Sequence, residues 1–269
     1  MTAAASPIAG RPAKPRRSPV VPIGLAAFVF ITWFSATEQF GIGLDIGALI
    51  EDIGGVGLVL SEMANPNWEF VPRTFEAMLE TFQMAVLASV IGCGVGLPVA
   101  FLASRVTAPN RLTLLIDRSV LSVVRAIPDI LYALVFVAAV GIGPLGGIAA
   151  LVFFNIGVVA KLLSETVDGV DTGPVEAARA AGATRMQTVR SSVLPQVLPN
   201  YVAYSLYTFE LNIRASTVIG IVGAGGIGRL LQTQYRFFAW ENVSVIIIEL
   251  FVLVFFIELV SIWLRRRLV

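Results

Sequence analysis

Four polar residues within one apolar stretch carry most of the chemistry this sequence offers: Tyr207, Glu210, Arg214 and Thr217, in YVAYSLYTFELNIRASTVIG. Spacings of three, four and three put them on one helical face, and Glu210 and Arg214 are one turn apart, where a carboxylate and a guanidinium pair. An ionised side chain at the middle of a bilayer costs about 3 kcal/mol or more, so these residues must face a cavity or a partner. Two readings stand open. In one, a water-filled pathway lets Arg214, released at times from Glu210, meet an anion; in the other, a buried pair merely holds helices together. Arg125, Pro128 and Asp129 form a second polar island, at a bend where backbone groups come free. Arg125 either lines the path or supports it from behind. Glu80 with Gln83, and Asn155, are weaker candidates, better read as packing contacts.

Other chemistries are excluded by what is missing. The chain has no histidine and a single cysteine, Cys93, in an apolar run beside Gly92 and Gly94. Metal sites and disulfides are therefore not expected, a Cys-His nucleophile is impossible, and Cys93 reads as a small packing residue. An enzyme acting on phospholipid headgroups would need a nucleophile cluster that is absent. The run GIVGAGGIGRL places Gly223, Gly225 and Gly228 in GxGxxG order, with Gly226 between. A dinucleotide site would need a preceding strand, and here a membrane helix precedes, so the glycines read as a flexible, closely packed turn near a gate.

The elements that position these residues follow from hydropathy. Apolar residues make up 57% and charged residues 14% of 269, against about half and about a quarter in soluble domains. The expected fold is all-α: one polytopic membrane domain over 20–269 with about six transmembrane helices, preceded by a disordered basic tail at 1–19. The spans are read at about 20–37, 73–103, 112–140, 148–163, 200–222 and 243–264. The first has the basic start of a leader peptide, but its length and the lack of a small-x-small cleavage site favour an uncleaved span. The third is either one helix kinked at Pro128 or a cytoplasmic helix joined to a tilted span. Segment 38–73 is acidic and glycine-broken and belongs outside; basic loops and the run Arg265, Arg266, Arg267 belong inside, with both termini cytoplasmic. Arg229 and Arg236 oppose the rule mildly. No internal repeat is present, which counts against the inverted-repeat plan of many secondary transporters.

Between the fourth and fifth spans, 165–199 is polar. Gly173, Pro174 and Glu176 read as a helix start, with proline first and the carboxylate facing the positive end of the dipole. Alanines then extend a short helix that Gly182 closes in a left-handed conformation. Thr184 and Gln187 have capping-box spacing for a second helix, which Pro195 limits. So short a helix is marginal alone and needs a surface to dock on.

These residues resemble a known motif. Glu176, Ala177 and Ala178 with Arg179, then Gly182, then Leu194 and Pro195 look like the EAA loop of permease subunits of ATP-binding-cassette importers, although Ser192 stands where an apolar residue is usual. The blocks RAIPDILYALVFV, VEAARAAGATRMQTVRSSVLPQVLP and SLYTFELNIRASTVIGIVGAGGIG narrow the resemblance to the phosphonate transport permease family, over about 125–228. The resemblance implies a type I importer permease with a cytoplasmic coupling-helix hairpin, located in the bacterial cytoplasmic membrane among its lipids. It implies a second copy of the chain, two cytoplasmic ATPase subunits that carry ATP and magnesium, and an extracytoplasmic solute-binding protein delivering phosphonate, phosphate or phosphite. This chain would bind no cofactor, metal or nucleic acid and would catalyse nothing itself. Arginine in the pathway suits such cargo, because its planar fork binds a phosphoryl group bidentately. The alternative is an ion-coupled secondary transporter of a small anion, with Glu210 or Asp129 as its proton site.

Overall fold

The computed structural model describes residues 20–37, 47, 50 and 53–268; the basic tail and most of the acidic segment at 38–52 lie outside the described residues. The chain divides into two units, residues 1–58 and 59–269. In the first, α1 (Val20–Ala36) is a 17-residue apolar helix with no buried residue. At 1.5 Å per residue it reaches about 25 Å, the lower limit for a span. A short helix, α2 (Ile53–Met63), follows and also has no buried residue.

The second unit is a bundle of α3 (Val71–Ala103), α4 (Arg111–Ala126), α5 (Asp129–Val140), α6 (Pro144–Asp168), α7 (Thr172–Ala180), α8 (Arg185–Thr188), α9 (Leu194–Ile221), α10 (Gly226–Arg236) and α11 (Trp240–Leu268), with no strand among the described residues. By length and composition α3, α6 and α11 each cross a membrane alone. The pair α4 and α5 is bent by 87°, and the run Arg185–Ile221 meets α10 at 42°. Counting each bent pair as one span and adding α1 gives the six expected.

Two expectations are corrected here. Residues 112–140 are not one kinked helix. Ile127 is extended at φ −86°, ψ 122°, as a residue before proline prefers, and α5 starts afresh after Pro128. The near right angle fits the other alternative, a separate helix followed by a short span. Nor does Pro195 end the second hairpin helix. A π-turn at Val189–Val193 shifts the hydrogen-bond register, the Leu194 N–H donating to the Val189 carbonyl, and the helix continues from Arg185 to Ile221. Proline in the first turn of α9 loses a bond that the changed register does not require.

The bundle is held at its centre by α3 against α6. A Cβ on Gly92 would lie 2.5 Å from the Asn155 Cβ, and one on Gly96 would lie 3.3 Å from Val159. Glycines four apart give α3 a flat stripe on which α6 lies in close backbone contact. Gly94 faces open space and takes no part. Contacts advance together along both helices, so they run parallel, while α9 crosses antiparallel: Asn212 donates to Ser89 Oγ at 2.7 Å, and Cys93 Sγ lies 3.3 Å from Thr208 Oγ1. Asn155, fully buried, donates to the Ala88 carbonyl at 3.1 Å.

Candidate functional site

The hairpin is built by local capping. Asp171, extended, accepts from the Gly173 N–H at 2.9 Å and is the N-cap, so α7 begins two residues before the expected start. Pro174 is still within the first turn, whose N–H groups have no intrahelical partner. At the other end Gly182 adopts φ +82°, the Gly182 N–H reaches the Arg179 carbonyl, and the Ala183 N–H reaches the Ala178 carbonyl, both at 3.0 Å. This pair is the Schellman closure, and it needs a residue without a Cβ penalty at positive φ. Thr184 and Gln187 then form the expected capping box.

One apolar side chain anchors this peg. Val175 is buried among Ala103, Leu163, Val167, Val193 and Val197, where α3, α6 and α9 meet. Beside it, Asp168 gathers Ser104 Oγ at 2.7 Å, the Arg105 N–H at 2.6 Å and Arg118 at 2.7 Å, while Arg118 also donates to the Ala103 carbonyl. Gln196 accepts from the Asp171 N–H at 3.0 Å and donates to the Asp171 and Ser192 carbonyls, tying the hairpin entry to α9. None of Asp168, Arg118 and Gln196 was marked by spacing, because each acts across the sequence rather than along one helix. Arg179 and Arg185 turn inward onto the carbonyls of Val106, Ala108 and Pro109. The outward face keeps Glu176 and Ala177, both exposed, with Ala178 half-buried and Met186 75% exposed at the tip. Leu194 and Pro195 sit in the first turn of α9, half-buried and exposed respectively.

A cavity of about 560 Å³ opens between α4, α6, α9 and α11. Its polar lining is Arg125, Lys161, Tyr204, Tyr207 and Arg265; Phe154 and Leu211 are among its apolar walls. The residues expected on one face of α9 are not equivalent here. Tyr207 lines the cavity, with no hydrogen bond among the described residues. Glu210 is buried and pairs with Arg214, and its second oxygen lies 3.6 Å from Arg265 of α11. Arg214 is half exposed and outside the cavity lining, and Thr217 bonds back to the Ile213 carbonyl. Asp129 accepts from the Ile130 N–H at the start of α5 and does not reach the cavity either. Arg265 is the partner that helical spacing on α9 did not reveal. Lys161 shows in the sequence only through its i, i+4 pair with Glu165, 2.7 Å here.

The glycine turn joins α9 to α10. Gly223, Gly225 and Gly226 all have positive φ, and a Cβ on Gly228 would lie 2.1 Å from the Thr217 carbonyl. The Gly223 carbonyl accepts from the Gly143 N–H, and the Ile227 N–H donates to Thr81 Oγ1 at 2.8 Å. Close packing, more than slack, is what requires glycine here.

An all-α membrane bundle that presents a capped, alanine-rich helix beyond its spans has the form of an importer permease. Residues 95–269 match the family of binding-protein-dependent transport system inner membrane components, and the chain belongs to that family. It is thus a multi-pass protein of the bacterial inner membrane, of the permease type found in ATP-binding-cassette importers. It is 36% identical over 91% of its length to the phosphite transport system permease protein PtxC of Stutzerimonas stutzeri, of which it covers 89%. To the phosphate-import permease protein PhnE of Mycolicibacterium smegmatis it is 40% identical over 78% of its length, spanning 40% of that longer chain. Among solved structures, the inward-facing MetNI methionine transporter aligns with a TM-score of 0.67 at 24% identity, over 76% of this chain and 99% of that one, a likeness of fold. Nothing in these likenesses favours an ion-coupled carrier.

Proposed function

We propose that this chain is the translocation subunit of an ATP-driven importer of phosphonate or a related phosphorus oxyanion, phosphate or phosphite. The reading has it working as a pair of copies with two cytoplasmic ATPase subunits and an extracytoplasmic solute-binding protein, the magnesium-ATP being held by the ATPase. The termini and the hairpin then face the cytoplasm.

The observation that carries the proposal is the hairpin. It is closed at both ends by its own caps, anchored by Val175, and presents Glu176, Ala177 and Met186 outward. Small side chains allow a groove to approach the backbone closely, and Arg179, held on the Val106 carbonyl, leaves Glu176 to set orientation. The similarity to phosphite and phosphate permeases supplies the cargo class. ATP binding would draw two such pegs together; through Val175, Gln196 and the Asp168 node the motion would pass into α3, α6 and α9.

The test is uptake into proteoliposomes holding the chain, its ATPase and the binding protein. Glu176→Lys and Gly182→Asp should each lower ATP-dependent uptake by at least about tenfold, the scale of losing a central docking contact, with membrane insertion unchanged. Normal uptake in both variants would defeat the proposal, as would uptake that stops with an uncoupler and ignores ATP.

A further inference from the structure

We infer that the cavity between α4, α6, α9 and α11 is a binding site for a free, doubly charged phosphorus oxyanion, held by Arg125, Lys161, Arg265 and the Tyr207 hydroxyl. The inference rests on the importer reading and adds to it a solute site within the permease itself.

Charge is the first argument. Arg125, Lys161, Arg214 and Arg265 stand against two carboxylates, Glu165 and Glu210, so two positive charges at this locus are uncompensated. Arg125 has no carboxylate within ion-pair distance among the described residues. The pocket is partly open, but its apolar walls, Phe154 and Leu211 among them, screen such charge less than bulk water does and favour an anion of matching valence.

Availability is the second. Lys161 and Glu165 form a pair on one helix with both side chains substantially exposed, an interaction of little strength that an incoming anion can replace. Glu210 is held by Arg214 on one oxygen and more loosely by Arg265 on the other. Arg265 can therefore turn to a solute without stranding a buried carboxylate. The Tyr207 hydroxyl has no partner among the described residues, whereas Tyr204 is engaged with Thr166 at 2.9 Å.

The third argument is a notch made for Arg125. A Cβ on Gly157 would lie 3.1 Å from Arg125 Cγ, so the bare glycine lets the arginine stem lie against α6 one turn before Lys161. The cavity volume suits a small oxyanion with some of its water. A lipid headgroup offers the same tetrahedral phosphorus oxygens, but a phosphodiester carries one charge where two are wanted, which favours the free solute.

The experiment uses the full chain in phosphatidylcholine nanodiscs, without ATPase or nucleotide, at about pH 8, above the second ionisation of the phosphate group. Radiolabelled inorganic phosphate should bind saturably and be displaced by methylphosphonate and phosphite. Arg125→Gln and Arg265→Gln should each weaken binding about tenfold, and Tyr207→Phe about threefold, while Arg236→Gln changes nothing. Absence of saturable binding to the unaltered chain, or equal binding by the arginine variants, overturns the inference. So does a second arm in which phosphatidylglycerol, added to the discs, is retained through Arg125 and Arg265 while phosphate is not. If the assembled complex imports at full rate with all these variants, the site fails and the importer reading stands. If the unaltered complex imports nothing, the importer reading itself fails.

Discussion

At the hairpin end of the bundle three arginines close on acceptors of their own chain: Arg118 on Asp168 and the Ala103 carbonyl, Arg179 on Val106, Arg185 on Ala108 and Pro109. In the cavity Arg125 closes on none among the described residues, while Arg265 keeps one bond to the Ser261 carbonyl at 3.3 Å and reaches Glu210 only at 3.6 Å. The two regions share residue types and differ in what is left over. Saturated cations build a frame that can transmit displacement; unsaturated ones keep electrostatic capacity for something that arrives and leaves. The difference predicts opposite signatures on substitution, stability at one end and binding at the other.

Asp168→Ala tests the frame most severely. Its carboxylate accepts from three donors, and a hydrogen bond to a charged group contributes about 1.5–3 kcal/mol. Arg118 and Asp168 remain 35% and 24% exposed, so the losses are screened and will not sum in full. We expect about 3 kcal/mol of lost stability, read as a lowered unfolding midpoint in detergent. Arg125→Ala in the same assay should stay within about 0.5 kcal/mol of the unaltered chain. Equal losses at both positions would dissolve the contrast.

Gly157→Ala meets Arg125 Cγ at 3.1 Å and Val124 Cγ1 at 3.2 Å; the arginine stem can swing aside while the branched valine gives little, so stability should fall by about 1 kcal/mol. Phosphate binding in nanodiscs should nonetheless weaken about threefold, because Arg125 is displaced. Unchanged binding with a marked loss of stability would place Arg125 in the frame after all.

What the sequence disclosed follows the range of the forces involved. Spans were legible because the bilayer demands long apolar runs, and the Gly182 closure and the Thr184–Gln187 box were legible because capping acts within five residues. Two local rules competed at the start of α7, and the Asp171 side chain prevailed over the preference for proline in first place. The run through Pro195 was not legible, since a π-turn leaves no compositional mark. Glu210 and Arg214 could be paired from spacing, whereas Arg265, 55 positions beyond Glu210, could be joined to them only by folding. Asp168 and Gly157 were hidden for the same reason: one collects three donors from two distant segments, and the other matters through side chains on a different helix.

Gln196 offers the finest test of the contrast, because it joins the hairpin to α9 without bearing charge. It accepts from the Asp171 N–H and donates to two carbonyls. Asp171, as N-cap, in turn sets where α7 begins. Gln196→Ala should cost about 1 kcal/mol, a typical neutral hydrogen bond, and leave phosphate binding in nanodiscs unaltered. In the assembled complex it should reduce uptake about twofold while ATP hydrolysis continues at the normal rate, since the peg still docks but is less firmly attached to the span it must move. Gln196→Glu keeps the acceptor but turns a carboxylate oxygen toward the Asp171 and Ser192 carbonyls, so its deficit should be the larger. Should hydrolysis fall in step with uptake, the residue would be acting on docking itself, and the separation between a frame that transmits and a cavity that binds would need to be redrawn at the hairpin.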